Sequence, residues 1–260
     1  MFLLNPSRYH RKHNDPQSEA LARKTIEFFE KKGLEKIKEE EGREGWYQDF
    51  LDFNQKEGLF STHLTPSGYG RSDARWDMWR ISHINEILGF YGMAYWYAWQ
   101  VSILGLGPVW MSRNEELKKR VAGWLADGGL FGFGLSEKAH GADIYSTDMI
   151  LDPLPGGKWS ASGSKYYIGN GNVAALLSTF GKFKDSGEYV FFGVKTDHAA
   201  YHLAKKIRTS GARSAYVAAY DLNRYPVTEA DILSKGQEAW DSALNTVNVG
   251  KFQFGFCSIG

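Results

Sequence analysis

The patterning of the chain changes character at Gly128, and this change limits the available folds more than any other feature. Up to that point apolar residues recur at helical spacing. Asp15 followed by Pro16 reads as an N-cap with proline in the first helical position, and Leu21, Ile26, Phe28 and Phe29 form a partly one-sided apolar face. A helix is expected over 46–56, closed by Gly58, and a loop through Pro66, Gly68 and Gly70 follows. Another helix starts at Ser72, and an apolar one follows Gly92 and ends at Gly105, Gly107 and Pro108. Ser112 and Glu115 make a capping box for a helix running to Gly128. Beyond Gly128 the chain breaks into short β-like segments at 130–136, 158–168, 174–183, 188–194 and 215–222, parted by turn clusters at 153–157 and 169–172. Helical patterning returns from Glu238 through Trp240, Leu244, Val247, Phe252 and Phe256. The expected class is α+β: an all-α amino-terminal domain over 1–128, a small antiparallel β domain over 129–237, and the first helix of a carboxy-terminal helical domain over 238–260, which looks incomplete.

Charge and cysteine usage exclude several function classes. Lys and Arg total 31 against 30 Asp and Glu, so no global basic field favours nucleic acid or an anionic membrane. The single cysteine, Cys257, rules out an internal disulfide framework and a zinc site built from several thiolates. A reducing, cytoplasmic setting fits this usage. It also fits the start of the chain, where an apolar patch around Phe2 precedes Arg8, Arg11 and Lys12, the reverse of a secretory signal. The stretch 87–111 has no charged residue, yet it carries Gln100, Gly105, Gly107 and Pro108, which suit a buried helix and turn rather than a membrane span. The charged run over 31–41 reads as a solvated helix face.

Common nucleotide and hydrolase signatures are missing. No G-x-G-x-x-G follows a strand, no loop ends in Gly-Lys-Ser/Thr, and no G-x-S-x-G elbow occurs. His198 and His202 stand four apart, as two ligands on one helix face would, but no third ligand is evident and no metal is expected.

The informative segment is Phe133-Gly-Leu-Ser-Glu-Lys-Ala-His-Gly-Ala-Asp143, followed after one hairpin by Gly163-Ser-Lys-Tyr-Tyr-Ile-Gly-Asn170. Together these resemble the two flavin-contacting motifs of acyl-CoA dehydrogenases, aromatic-x-x-Thr/Ser-Glu-x-x-x-Gly-Ser-Asp and Gly-x-Lys-x-Trp-Ile-Thr-Asn. A flavin ring needs donors along its N5 and carbonyl edge, an aromatic wall, and closely approaching backbone for its pyrophosphate. By resemblance, Phe133, Ser136 and the backbone at Leu135 serve the ring, Gly141 and Ala142 approach the phosphates and the substrate, and Tyr167, Ile168 and Gly169 flank the ring from the second strand. The match departs at Ala142, Tyr167 and Gly169, where the family has a hydroxyl residue, Trp, and Thr or Ser.

The resemblance extends along most of the chain. Gly105-Leu-Gly-Pro108 and the helix after it are similar to the family's Gly-x-x-Pro and following charged helix, and 206–232 resembles the stretch that ends the sheet domain. Trp96 and Gln100 fall on the helix that lines the acyl pocket in relatives, although core packing explains Trp96 equally well. If Trp96, Tyr97 and Trp99 face the pocket, they imply a short or unusually shaped acyl group. Asn248-Val-Gly-Lys251 takes the place of an Asp-x-x-Arg element that contacts CoA, with Lys keeping charge but not Arg's planar fork. Some members carry the catalytic Glu just before that basic residue; here the position is Gly250, so the general base is expected beyond Gly260 and no catalytic residue in this chain.

The resemblance thus implies FAD, an acyl-CoA substrate and its α,β-dehydrogenation to a trans-2-enoyl thioester. It also implies an external acceptor such as an electron-transfer flavoprotein, and a homo-dimer or homo-tetramer at full length. A flavin oxidase or monooxygenase on the same fold, or a non-catalytic aromatic-rich ligand-binding module, stays open.

Overall fold

The computed structural model describes residues 4–9 and 15–260, so the terminal reading at Phe2, Arg11 and Lys12 lies outside the described residues. Among the described residues seven α-helices precede the strands: α1 (Pro16–Lys32), α2 (Leu34–Gly42), α3 (Gln48–Glu57), α4 (Leu59–Leu64), α5 (Met78–Tyr91), α6 (Met93–Met111) and α7 (Glu115–Ala126). Eight strands follow: β1 (Phe131–Gly134), β2 (Ile150–Leu154), β3 (Lys158–Gly169), β4 (Leu176–Phe183), β5 (Tyr189–Val194), β6 (Tyr201–Lys206), β7 (Val217–Thr228) and β8 (Ile232–Lys235). A long helix, α8 (Gly236–Cys257), completes the described fold. The α+β class is as expected, with helices and strands exchanging at Gly128.

Local chemistry explains most helix ends. Asp15 Oδ1 accepts the Ser18 amide at 2.8 Å and caps α1, and Gly58, at φ 69°, supplies the left-handed residue between α3 and α4. Three expected boundaries move. The helix anticipated at Ser72 begins at Met78, because Asp77 Oδ1 accepts the Trp79 amide at 2.9 Å. The α7 cap is Asn114 rather than Ser112, its Oδ1 accepting the Leu117 amide at 3.0 Å. And α6 does not end at Gly105-Leu-Gly-Pro108 but runs through it to Met111. There the glycines serve close approach: a β-carbon on Gly105 would lie 2.6 Å from the Gly132 backbone, and one on Gly107 would lie 2.6 Å from the Thr246 hydroxyl.

The strands form one sheet ordered β6-β7-β3-β2-β4-β5-β8, with β1 joined to β4. Most pairs are antiparallel, but β1–β4 and β2–β4 run parallel, so the sheet is mixed rather than purely antiparallel. Strands β2, β6 and β8 were not legible beforehand. Pro153 lies inside β2, and β6 is an edge strand whose Lys205 and Lys206 read as loop. His202 sits on β6 and His198 in the turn before it, so they share no helix face.

Helix α6 is the hub. It is buried along most of its length and packs against α5, α8 and β1. Trp99 is fully enclosed, edge to face with Phe60 at 5.0 Å, and so belongs to the core rather than to any ligand site. Among the described residues no helix is long and apolar enough to cross a membrane.

Candidate functional site

A cavity of about 710 Å³ opens where α6, α8, the end of β1 and the end of β3 converge. Helix α6 contributes Trp96, Tyr97 and Gln100; the β1 exit contributes Phe133, Leu135 and Ser136; β3 contributes Tyr167 and Gly169; and α8 contributes Gly250, Lys251 and Phe254. The two sequence motifs, separated by a hairpin, therefore share one cavity with the two helices that the resemblance had pointed to.

Each wall is fixed by identifiable contacts. The Trp96 indole N–H donates to Asn85 Oδ1 at 2.8 Å, and Asn85 is held in turn by the Ile81 carbonyl and by Gln253 on α8. A buried polar network of this kind restricts the indole to one orientation. Phe254 meets that indole edge to face at 5.4 Å, which closes the gap between α6 and α8. Gln100 Nε2 donates to the Gly250 carbonyl at 3.1 Å. Burial pushes the Tyr97 phenol up to about 12, so it stays neutral at physiological pH.

Tyr167 is the most unusual wall residue. It sits at a register shift between β3 and β7, its φ is 63°, and the residue is 61% exposed. A bulky residue in the left-handed region on a bulge spends backbone energy to re-aim its side chain, here toward the cavity.

Beneath the β1 exit lies a charge pair that the motif reading passed over. Lys165 is completely buried, and its Nζ donates to Glu137 Oε1 at 2.7 Å and to the Leu135 carbonyl at 3.1 Å. Thr147 Oγ1 donates to the same Glu137 oxygen at 2.5 Å, and the Asp148 amide donates to Oε2 at 2.8 Å. Burial pulls the Lys165 ammonium down to about 8, with Glu137 opposing. Burial of Glu137 works against its charge but is outweighed by Lys165, which holds the carboxyl below the usual range. Glu137 and Lys165 are motif letters of opposite charge, the Glu of the first quoted motif and the Lys of the second, and that complementarity was the available signal. Glu137, His140 and Asp148 also gather within 4.8 Å, but Glu137 is already saturated by these partners.

Other residues of the sequence reading lie elsewhere. Ile168 is 1% exposed and packs in the sheet core, so its side chain does not flank the cavity. Gly141, Ala142 and Asn248 are exposed and outside the cavity lining, and a β-carbon on Gly141 would meet nothing within 4 Å.

These residues fit the ring part of a flavin. The walls are aromatic and aliphatic, and the Ser136 amide and hydroxyl at one rim have no partner among the described residues. They do not by themselves form a cradle for its phosphates, since the Gly141–Ala142 backbone stands open.

Comparison with known proteins gives a consistent picture. No family model matches the chain. A curated acyl-CoA dehydrogenase of Bacillus subtilis (strain 168) is 28% identical over 161 residues, covering 60% of this chain and 42% of that protein. Among solved structures, butyryl-CoA dehydrogenase from Megasphaera elsdenii superposes with a TM-score of 0.85 at 19% identity, over 95% of this chain and 66% of that one. An acyl-CoA dehydrogenase complexed with FAD from Bacillus anthracis gives 0.81 at 20% identity, over 98% and 43%. The chain thus spans less than half the length of the curated relative and about two thirds of the first structure. The similarities support the acyl-CoA dehydrogenase family that the two motifs resemble.

Proposed function

We propose that this chain, which has the fold of the acyl-CoA dehydrogenases, binds FAD in the cavity between α6, α8 and the sheet and takes part in α,β-dehydrogenation of an acyl-CoA thioester. The observation that carries this reading is the convergence of both motifs on one aromatic-walled cavity whose rim offers the free amide and hydroxyl of Ser136. When bound, FAD would supply the hydride acceptor that side chains lack.

The residues of this chain then bind and orient. Ser136 would donate to the electron-rich ring edge, Tyr167 would supply an aromatic wall to the ring, and Lys251, exposed on α8, would meet the anionic CoA portion. Trp96, Phe254 and Leu104 give the acyl end an apolar wall. No carboxylate lines the cavity among the described residues, so removal of the α-proton falls to a group outside them. The division at 128 and 237, a cytoplasmic setting, an acceptor of the electron-transfer flavoprotein type and a homo-oligomer belong to the same reading.

Titration of the purified chain with FAD tests it. Saturable quenching of flavin fluorescence, with a further spectral change on adding acyl-CoA, is expected. A chain that leaves free FAD unperturbed at every concentration would favour the ligand-binding alternative.

A further inference from the structure

Lys165 and Glu137 pair at 2.7 Å in a buried position behind the β1 exit, where apolar residues of similar size would be equally or more stable. Their geometry suggests what they add. Two successive carbonyls at the β1 exit are drawn toward β3: the Leu135 carbonyl by Lys165 Nζ at 3.1 Å, and the Ser136 carbonyl by the Tyr166 amide at 2.9 Å. The peptide joining Leu135 to Ser136 is planar and trans, so its N–H points opposite to its C=O. With the carbonyl fixed inward, the Ser136 N–H is directed outward, and it finds no acceptor among the described residues. The ammonium itself cannot turn away, because Glu137 is clamped by the Thr147 hydroxyl and the Asp148 amide.

We propose that the buried Lys165–Glu137 pair is a positioning device that aims the Ser136 amide into the cavity as a donor to the edge of the bound flavin ring. The proposal rests on the flavin reading above. It assigns Lys165 a positioning role exerted through the Leu135 carbonyl, with Glu137 as the anchor that keeps Lys165 in place.

The test compares Lys165→Met, Glu137→Gln and the neutral double variant Glu137→Gln/Lys165→Met, with folding checked by circular dichroism and FAD affinity by fluorescence quenching. The double variant holds no buried charge and is expected to fold even where Lys165→Met alone does not. Glu137→Gln removes the countercharge that anchors Lys165, so FAD affinity falls in the same direction as in Lys165→Met, and by less because a neutral acceptor remains. Lys165→Met and the double variant lose the charged donor to Leu135, and FAD affinity falls about tenfold with a shifted flavin absorption envelope. A purely structural pair would instead change melting temperature and leave the flavin spectrum of folded variants alone. Hydrogen exchange supplies an arm without substitutions: the Ser136 amide exchanges freely in the apo chain and becomes protected by FAD. A folded double variant with wild-type FAD affinity and spectrum, or a Ser136 amide already protected without FAD, overturns the proposal alone. A wild-type chain with no FAD affinity overturns the proposal together with the flavin reading.

Discussion

The ring of Tyr97 occupies the space that a side chain at position 169 would need: a β-carbon there would lie 2.6 Å from Tyr97 Cε1 and 2.6 Å from Val101 Cγ2. Gly169 stands where the resembling motif has Thr or Ser, so one substitution in the strand is coupled to bulk on the facing helix. Gly169→Ser should therefore destabilise the chain by roughly 1–3 kcal/mol through overpacking. Tyr97→Ala should reverse part of that loss when combined with it, the equally close Val101 keeping the rest, although it leaves a gap when made alone. Urea denaturation of the two single variants and the double variant measures the coupling, and additive losses would show that the two positions are independent.

Ser136 and Tyr167 should separate flavin binding from folding. Ser136→Ala removes one neutral donor and should weaken FAD by up to about tenfold. Tyr167→Gly removes the ring but relieves the left-handed backbone at φ 63°, so stability should hold or rise by about 1 kcal/mol while FAD affinity falls. Parallel melting curves and FAD titrations check both halves. Unchanged affinity in both variants would remove these residues from the flavin site.

Lys251 is exposed, so its contribution should be small and confined to the charged part of the substrate. Lys251→Ala should weaken acyl-CoA binding a few-fold, roughly the worth of an exposed ion pair, and leave an acyl-pantetheine lacking the nucleotide unaffected. In a catalytically complete protein the same change should raise KM more than it lowers kcat. Equal weakening of both ligands would place Lys251 at the acyl end instead.

Gly250 is closed to a side chain by Leu104, whose Cδ2 would lie 2.8 Å from a β-carbon there. The FAD-loaded chain should stay oxidised when acyl-CoA is added under anaerobic conditions, because no carboxylate lines the cavity among the described residues. Gly250→Glu paired with Leu104→Ala should then introduce slow bleaching of the flavin, recovering part of the roughly 10²–10⁴-fold that general-base catalysis supplies. Rapid bleaching of the unmodified chain would reveal a base that the cavity description misses.

Asp15 links stability to acid pH. Burial alone would raise its carboxyl, but the Ser18 amide and hydroxyl and the Arg75 guanidinium outweigh it, and it falls from 3.8 to about 2. Because the folded value is depressed, the native state binds fewer protons than the unfolded chain between these limits. The associated stability is fully present above pH 3.8 and is lost as pH falls toward 2. Asp15→Ala should cost about 1–2 kcal/mol at pH 7 through the lost cap and should flatten this acid limb. Unfolding titrations at several pH values compare the two chains, and an unchanged acid limb in the variant would mean that other carboxylates govern it.

Much of this protein was determined by sequence alone, wherever the signal is local. The Asp15 cap, the Gly58 break, the exchange of helix for strand at Gly128 and the two ordered motifs each depend on a few neighbouring residues, and each is found in place. Tertiary structure decided what depends on partners distant in the chain. Gly105, Gly107 and Pro108 read as a helix stop, but contacts from Gly132 and Thr246 make the glycines points of close approach within a continuing helix. The edge strand β6 alternates only over Tyr201, His202 and Leu203 before Ala204, Lys205 and Lys206 dilute the pattern, and only pairing with β7 reveals it. Likewise Lys165 and Glu137 are ordinary charged letters until β3 passes behind the β1 exit and buries them together. A sequence states which groups are available; which of them lose water, and against what, is set only when segments apart in the chain come into contact, as Lys165 and Glu137 do across 28 residues.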